Sequence, residues 1–233
     1  WLSSKPISAD ANEDHVQLSV STPQGDRTIR CKLLCGADGA HSWVRRRFKM
    51  GRPKELMIGF QVEVTGYKGE PGRLDMYTGS RFSPGFFAWA IPSGETTRIG
   101  TWSKPELMRK ESCEQLLDRL REEPLWSERF SDCQEIGRFC GPIPSGLVKR
   151  PMIGRVALFG DAAGLCKPTT GGGIGPGFKQ VEMLVPSLLK CLKRNDFSDT
   201  AVNEVIGLLS PIRREQNRAR ALRDAFLTEM MDE

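Results

Sequence analysis

Residues 155–175 read RVALFGDAAGLCKPTTGGGIG. An apolar run ends at Gly160-Asp161, and a glycine cluster then precedes a helical segment. Glycine allows sharp turns and close approach of the backbone to a ligand, and N–H groups at a helix N-terminus attract anionic groups. The pattern predicts a strand–loop–helix that binds an anionic nucleotide cofactor, with Asp161 accepting hydrogen bonds from hydroxyl groups. The alternative is an ordinary strand–loop–helix with a glycine-rich turn. The candidate cofactor-binding residues in this stretch are Gly160, Asp161, Gly171, Gly172, Gly173 and Ile174.

A second segment, residues 32–46, has the same organisation and reads KLLCGADGAHSWVRR. An apolar run is followed by Asp38-Gly39 and then by a short basic helix. Asp38 and Gly39 are therefore further candidate cofactor-binding residues. Either Asp38 or Ser42 could also cap the helix through a side-chain oxygen, and the two roles of Asp38 are compatible.

These segments resemble the Asp-Gly and Gly-Asp fingerprints of flavoproteins with two dinucleotide-binding domains. Within them, GDAAG followed by PTTGGGI is most similar to the geranylgeranyl reductase family. A third segment, GFFAWAIP at residues 85–92, resembles the aromatic-x-Trp-x-x-Pro motif in the substrate domain of that family. The resemblance covers most of the chain, from about residue 16 onward.

The resemblance implies FAD as the cofactor and a reductase that saturates the C=C bonds of an isoprenoid chain by hydride transfer from reduced flavin. It implies NAD(P)H or reduced ferredoxin as the electron donor, so an electron-donor protein is a candidate partner. In the family's arrangement Asp161 would hold the ribityl chain, residues 171–173 would lie beside flavin N1 and C2=O, and Asp38 would lie near the pyrophosphate. No residue is assigned a catalytic role.

Phe87 and Trp89 alternate along a strand and therefore share one face. Uncharged aromatic faces suit an isoprenoid chain, which offers only apolar contacts. Together with Pro92, from the same motif, they are the candidate substrate-binding residues. Ordinary sheet core is the alternative for this stretch.

The Gly-x-Gly-x-x-Gly turn that holds the FAD pyrophosphate in such flavoproteins is absent from the chain. Because the sequence also opens on Trp1 rather than Met, we expect a C-terminal portion of a longer protein that binds FAD weakly by itself. Two other hypotheses remain open. One is an FAD-dependent aromatic monooxygenase, and the other is a non-catalytic fragment with an incomplete FAD site.

The composition narrows the other possibilities. The seven cysteines contain no Cys-x-x-Cys pair and the two histidines are scattered, so no metal site is expected and a reducing cytoplasm is the expected location. The net charge is +5, but no nucleic-acid recognition motif accompanies the basic residues. Nucleic-acid binding is therefore not expected. Arginines are concentrated at 45–47 and in the last helix. They indicate either a solvated helix face or a surface that attracts an anionic partner. That partner could be a lipid headgroup, which implies peripheral membrane contact, or a phosphorylated substrate.

The order of elements predicts a mixed α/β fold, in which an incomplete Rossmann-like FAD-binding domain carries an inserted antiparallel β-sheet substrate domain and C-terminal helices. Alternating residues in 58–64 and short strands at regular spacing favour the antiparallel sheet. Pro186 is expected to kink or end a helix over residues 178–194. The predicted ranges are 1–54 and 150–195 for the FAD-binding domain, 55–149 for the substrate domain and 196–233 for the C-terminal helices, including helices over 199–209 and 211–231.

Overall fold

The structure is a computed structural model and describes residues 1–228. The chain forms two compact units. The first unit contains Trp1–Lys54 and Pro144–Asn217, and the second contains Glu55–Ile143 and the segment that begins at Arg218. Residues 144–149, assigned to the substrate domain from the sequence, therefore lie in the first unit. The C-terminal helical region is divided between the two units.

Eleven strands and six α-helices can be assigned within the described residues. In chain order they are β1 (Lys5–Ala11), β2 (Val16–Thr22), β3 (Gly25–Cys31), β4 (Leu34–Gly36), α1 (Trp43–Arg47), β5 (Glu55–Thr65), β6 (Asp75–Thr78), β7 (Phe87–Ser93), β8 (Thr96–Ser103), α2 (Cys113–Glu122), α3 (Ser127–Phe130), β9 (Gln134–Ser145), β10 (Met152–Ile153), β11 (Val156–Leu158), α4 (Ile174–Arg194), α5 (Asp199–Gly207) and α6 (Ser210–Arg223). A 3-10 turn, Gly160–Ala163, follows β11, and a π-helical turn, Asp224–Thr228, follows α6.

The first unit contains two three-stranded sheets. Strands β1, β2 and β3 form an antiparallel sheet. In the other sheet β11 lies between β10 and β4 and pairs with β4 in parallel, with Gly36 opposite Leu158. The core of this unit joins β11 to α4 and α5 through buried apolar side chains, among them Leu158, Leu184 and Val205. The parallel pair is the feature that positions the candidate site, because parallel strands end at the same edge of a sheet.

The second unit is built on a five-stranded sheet with the order β6-β7-β8-β5-β9. Helix α2 begins with a capping box between Ser112 and Gln115. Its apolar side, with Leu116, Leu117 and Leu120, packs on one face of the sheet. The opposite face carries Phe87 and Trp89. The fold-class prediction of a mixed α/β protein with an antiparallel sheet and C-terminal helices is confirmed.

Helix α4 departs from the prediction at both of its prolines. It begins at Ile174, four residues before the predicted start, so Pro176 lies in the first turn, where an N–H has no intrahelical partner to lose. Of the two expected effects of Pro186, a kink or an early end, the early end is excluded because α4 continues to Arg194, and the kink stays a prediction. Pro186 and Glu182 are exposed, so water can solvate the carbonyl group that loses its N–H partner.

The arginines of the last helix match the expected solvated face only in part: Arg214 and Arg218 are exposed, whereas Arg213, Arg220 and Arg223 bond within the protein. In the second unit, Arg220 and Arg223 both bond to Glu55, at 2.7 Å each, and the Arg223 side chain is fully buried. In the first unit, Arg213 donates to the carbonyl oxygens of Leu147 and Val148. Predicted residues 229–231 of this helix lie outside the described residues. None of the helices described in residues 1–228 combines the length and apolar character needed to cross a membrane.

Candidate functional site

The two predicted loops begin next to each other, at the carboxyl ends of β4 and β11. The N–H of Phe159 donates to the carbonyl oxygen of Gly36 at 2.8 Å, which extends the pairing by one residue. The chain then turns at Gly160, whose φ is +57°, and Gly39 in the other loop has φ +75°. An added Cβ would meet nothing within 4 Å at either glycine. Glycine is therefore required there by the left-handed backbone conformation rather than by crowding.

Asp38 caps the short basic helix. Its Oδ2 accepts from the Val44 N–H at 3.0 Å, while the Ser42 Oγ accepts from the Arg45 N–H at 2.9 Å. Both capping candidates are therefore used at once. The Asp38 side chain remains exposed, which leaves it accessible to a ligand at the sheet edge.

Arg45 connects the two loops. Its guanidinium donates to the Ala162 carbonyl at 2.7 Å and to the Ala40 carbonyl at 2.5 Å, and the residue is only 8% exposed. Arg45 is thus held by backbone carbonyls. It fixes the Asp38 loop against the Asp161 loop rather than presenting a free cation to a phosphate.

The Asp161 carboxylate lies in a tight polar contact. Its Oδ1 accepts from the Cys166 thiol at 3.2 Å. A Cβ added to Gly173 would lie 2.6 Å from the same oxygen, which is too close for any real side chain. Burial, followed by the charge of Asp161, raises the pKa of the Cys166 thiol well above its ordinary value, so the thiol stays protonated at neutral pH and donates the hydrogen bond.

Gln180 is a fully buried polar residue of α4 that holds the start of this loop. Its Oε1 accepts from the Gly160 N–H at 3.0 Å, and its Nε2 donates to the Leu158 carbonyl at 2.8 Å. The sequence prediction missed this residue. The available signal was a glutamine in register with the buried apolar positions Leu184 and Leu188 on one face of the helix.

The glycine cluster forms a closed loop that leads directly into α4. The Gly171 N–H donates to the Lys167 carbonyl, and the Lys167 N–H donates to the Gly172 carbonyl, both at 3.0 Å. Helix α4 has Gly173 as its N-cap, and neither a side-chain cap nor an acidic residue lies in its first turn. The helix therefore supplies no side chain of its own to its N-terminal N–H groups, and the acidic group packed at this end is the Asp161 carboxylate beside Gly173. The predicted residue Ile174 is 77% exposed at this end.

These residues fit the groups that FAD presents. Two aspartates at one sheet edge, one of them accommodated by the bare Gly173 backbone, offer acceptors for hydroxyl groups. The N–H groups at the N-terminus of α4 offer donors for carbonyl or phosphate oxygens. The structure brings all eight predicted cofactor-binding residues into the first unit.

The predicted substrate-binding residues lie in the second unit. Phe87 and Trp89 share one face of β7, with ring centroids 6.3 Å apart. Trp89 lies across Gly100 of β8, where an added Cβ would meet the indole at 2.4 Å. Its Nε1 donates to Gln61 Oε1 at 3.3 Å. Pro92 is not brought together with them, because the alternation of β7 places it on the opposite side of the strand.

This aromatic face continues beyond the predicted motif. Trp102 and Phe86 are each 1% exposed, and their rings lie 4.5 Å apart, with Phe87 5.7 Å from Trp102. Phe87 and Trp89 are half-buried against this cluster. The rings are therefore fixed by packing, and the Arg223 guanidinium lies over the Phe86 ring, 4.7 Å from its centroid.

Comparison with known proteins agrees with this geometry. Residues 5–204 match the family described as FAD binding domain. The chain belongs to this family. It is 31% identical over 161 residues to digeranylgeranylglycerophospholipid reductase 2 of Methanothermobacter thermautotrophicus, a match that covers 65% of this chain and 39% of that protein. It is 32% identical over 155 residues to the chloroplastic geranylgeranyl diphosphate reductase of Oryza sativa subsp. japonica, covering 64% of this chain and 32% of that protein.

Solved structures show the same fold. A geranylgeranyl bacteriochlorophyll reductase-like protein from Thermoplasma acidophilum has a TM-score of 0.85 at 20% identity, covering 99% of this chain and 61% of that chain. The p-nitrophenol 4-monooxygenase of Pseudomonas putida has a TM-score of 0.70 at 19% identity, covering 97% and 58%. The matched part of this chain covers 39% and 32% of the lengths of the two curated relatives described above, which is well under half of each. The predicted similarity to geranylgeranyl reductases is confirmed.

Proposed function

We propose that this FAD binding domain protein is part of an FAD-dependent reductase that saturates C=C bonds of an isoprenoid chain. The observation that carries the proposal is the similarity, at 31% and 32% identity, to proteins named as reductases of geranylgeranyl groups. The half-buried aromatic rings of Phe87 and Trp89 support it, because an isoprenoid chain offers only apolar contacts.

The two units have separate tasks in this proposal. The first unit holds FAD, with the Asp161 carboxylate on hydroxyl groups of the ribityl chain and Asp38 near the pyrophosphate. The uncapped N-terminus of α4 lies beside the flavin ring, where its dipole favours negative charge. The second unit places the substrate chain against the aromatic face.

When bound and reduced, FAD would supply the hydride and a proton would complete the saturation, while the protein supplies position. An unactivated alkene gives a general base nothing to abstract, so rate enhancement comes from holding the double bond in place and excluding water. Phe87 and Trp89 serve this purpose as rigid apolar surfaces. Trp89 is fixed by its contact with Gly100 and by its hydrogen bond to Gln61.

The cofactor part of the proposal is tested with Asp161→Ala. Loss of a charged acceptor should weaken FAD binding by about 1–3 kcal/mol, measured as the dissociation constant in a flavin fluorescence titration. Asp26→Ala, in the exposed β2–β3 hairpin, is the matched control and should bind FAD as the wild type does. An unchanged dissociation constant for Asp161→Ala would contradict the assignment.

The substrate part is tested with chemically reduced, FAD-loaded protein under anaerobic conditions, which bypasses the donor, whether NAD(P)H or reduced ferredoxin. Prenyl lipids should gain hydrogen across their double bonds, as read by mass spectrometry. Trp89→Ala should weaken binding of a long prenyl substrate by about 1–3 kcal/mol, as expected for a half-buried aromatic side chain, whereas Trp1→Ala should not.

The competing hypothesis is an aromatic monooxygenase, because p-nitrophenol 4-monooxygenase shares the fold. If the FAD-loaded protein consumes O2 to hydroxylate a small phenol and leaves prenyl lipids unchanged, the monooxygenase assignment replaces the reductase assignment.

A further inference from the structure

The Asp161 carboxylate contacts a thiol that the proposed function does not use. Cys166 Sγ donates to Asp161 Oδ1 at 3.2 Å, within the range for a hydrogen bond to sulfur. The position that a Cβ of Gly173 would occupy lies 3.3 Å from the same sulfur and 2.6 Å from the same oxygen. The thiol, the carboxylate and the bare glycine backbone thus form one packed contact between three segments of the chain.

The backbone of Cys166 is held from two directions. Its N–H donates to the Pro144 carbonyl at 3.1 Å and it forms a parallel bridge with Ser145. Its carbonyl accepts from Gln216 Nε2 at 3.4 Å. The residue is only 3% exposed. With the backbone anchored and the side chain buried, the sulfur has little freedom to leave Asp161.

We propose that Cys166 is a positioning residue for the cofactor-binding carboxylate. Its S–H donates to Asp161 Oδ1 and orients the carboxylate so that Oδ2 faces a hydroxyl group of the FAD ribityl chain. The inference rests on the proposed role of Asp161 in the first unit. It also gives Gly173 a second function, since any side chain at that position would displace the carboxylate from the thiol.

The contact makes Cys166 unsuited to redox chemistry of its own. A nucleophilic cysteine needs an accessible thiolate, but this thiol is buried and faces a carboxylate, which favours its protonated form. Its task in the site is donation of one hydrogen bond, and a hydroxyl group can perform the same task.

The first test measures FAD affinity in variants that keep or remove the donor. Cys166→Ala should weaken FAD binding about three- to tenfold, since the acceptor is charged but a thiol is a weak donor. Cys166→Ser, which retains a donor, should stay within about twofold of the wild type. Cys191→Ala is the matched control, because Cys191 is also a buried cysteine of the first unit, and it should bind FAD as the wild type does.

A double-mutant cycle shows whether Cys166 acts through Asp161. In the Asp161→Ala background, Cys166→Ala should cause no further loss, because the carboxylate that the thiol orients is gone. Equal losses in both backgrounds would overturn the proposal and assign Cys166 to general packing. A Cys166→Ser variant as weak as Cys166→Ala would overturn it as well.

The second test needs no cofactor. The infrared S–H stretching band of Cys166, isolated as the difference between wild type and Cys166→Ser, should shift to higher frequency in Asp161→Ala and stay unchanged in Asp26→Ala. An unshifted band would show that the thiol does not donate to Asp161 and would overturn the inference while leaving the reductase proposal intact. If instead the band shifts but Asp161→Ala binds FAD normally, the cofactor role proposed for Asp161 is wrong, and the positioning role falls with it.

Discussion

At Gly173, the absence of a side chain is required by a neighbour within the protein. The backbone has φ −104°, which any residue can adopt, but an added Cβ would lie 2.6 Å from Asp161 Oδ1. At Gly175, two residues further along α4, an added Cβ would meet nothing within 4 Å. The two glycines thus differ in packing while sharing the same helix end.

This difference predicts opposite effects for the same substitution. Gly173→Ala should displace the carboxylate and weaken FAD binding by about 1–3 kcal/mol. Gly175→Ala should leave FAD binding unchanged and stabilise the fold by about 0.4–1 kcal/mol, because alanine restricts the unfolded chain. Flavin titration and thermal unfolding of both variants provide the measurements. Equal FAD affinity in the two variants would contradict the packing explanation.

Local signals explain which of these residues could be predicted from the sequence. The turn at Gly160 and the carboxylate of Asp161 follow an apolar strand directly, so neighbouring residues indicate their roles. Arg45 and Gln180 could not be predicted in the same way. Arg45 bonds to the carbonyl of Ala162, 117 positions away, and a backbone carbonyl carries no sequence signature of its partner.

Among the helices, α4 shows how solvent exposure changes the effect of proline. The propensity of an isolated helix predicts termination or a kink at Pro186, and termination does not occur, because the helix continues for eight more residues to Arg194. Buried side chains on both sides of the proline, Leu184 and Leu188, hold the helix to the core. Tertiary packing therefore outweighs the local tendency of proline to end a helix, and the helical spacing of Leu184 and Leu188 was the sequence signal for this outcome.

Replacement of Pro186 should show how much this proline destabilises the fold. Pro186→Ala restores a backbone donor and a strong helix former on the exposed side of α4, so the free energy of unfolding should rise by about 1–3 kcal/mol. Urea denaturation measures the change, and Ser187→Ala in the same turn serves as a control. A destabilised Pro186→Ala variant would show that the local geometry imposed by the proline is needed for packing.

The junction between α6 and β5 predicts a pH dependence of stability. Burial raises the pKa of Glu55, but hydrogen bonds from Arg223, Lys104 and Arg220 together lower it, to about 2. Because the folded-state pKa lies below the ordinary glutamate value of 4.5, the stabilisation is present above about pH 4.5 and is lost as the pH falls toward 2.

The measurement compares the free energy of unfolding of wild type and Glu55→Gln. Above pH 4.5 the wild type should be more stable, and the difference should shrink by up to about 1.4 kcal/mol per pH unit below it. Glu95→Gln, in the exposed β7–β8 hairpin, should show no such convergence. A difference that stays constant down to pH 3 would contradict the assigned network.

For the whole molecule, the order of elements was easier to predict than their assembly. The mixed α/β fold follows from two strand–loop–helix segments that flank a run of alternating strands, a pattern visible in the sequence. The boundary between the two units, at residues 143 and 144, could not be located from the sequence. Strand β9 runs through this boundary without a break, from Gln134 to Ser145. Only the packing of each end distinguishes the two parts.

The FAD-binding capacity of the whole 233-residue chain gives the last prediction. The first unit offers two aspartates and a helix N-terminus, but the sequence contains no Gly-x-Gly-x-x-Gly turn, which in dinucleotide-binding folds supplies the N–H groups that hold the pyrophosphate. Without that anchorage, we expect the chain to purify without stoichiometric flavin and to bind added FAD weakly.

Equilibrium dialysis with FAD and with riboflavin measures this. The two affinities should be similar, because few contacts to the pyrophosphate are available, and Asp161→Ala should reduce both. A yellow protein with one FAD per chain, or FAD binding much tighter than riboflavin binding, would show that other residues of this chain hold the pyrophosphate.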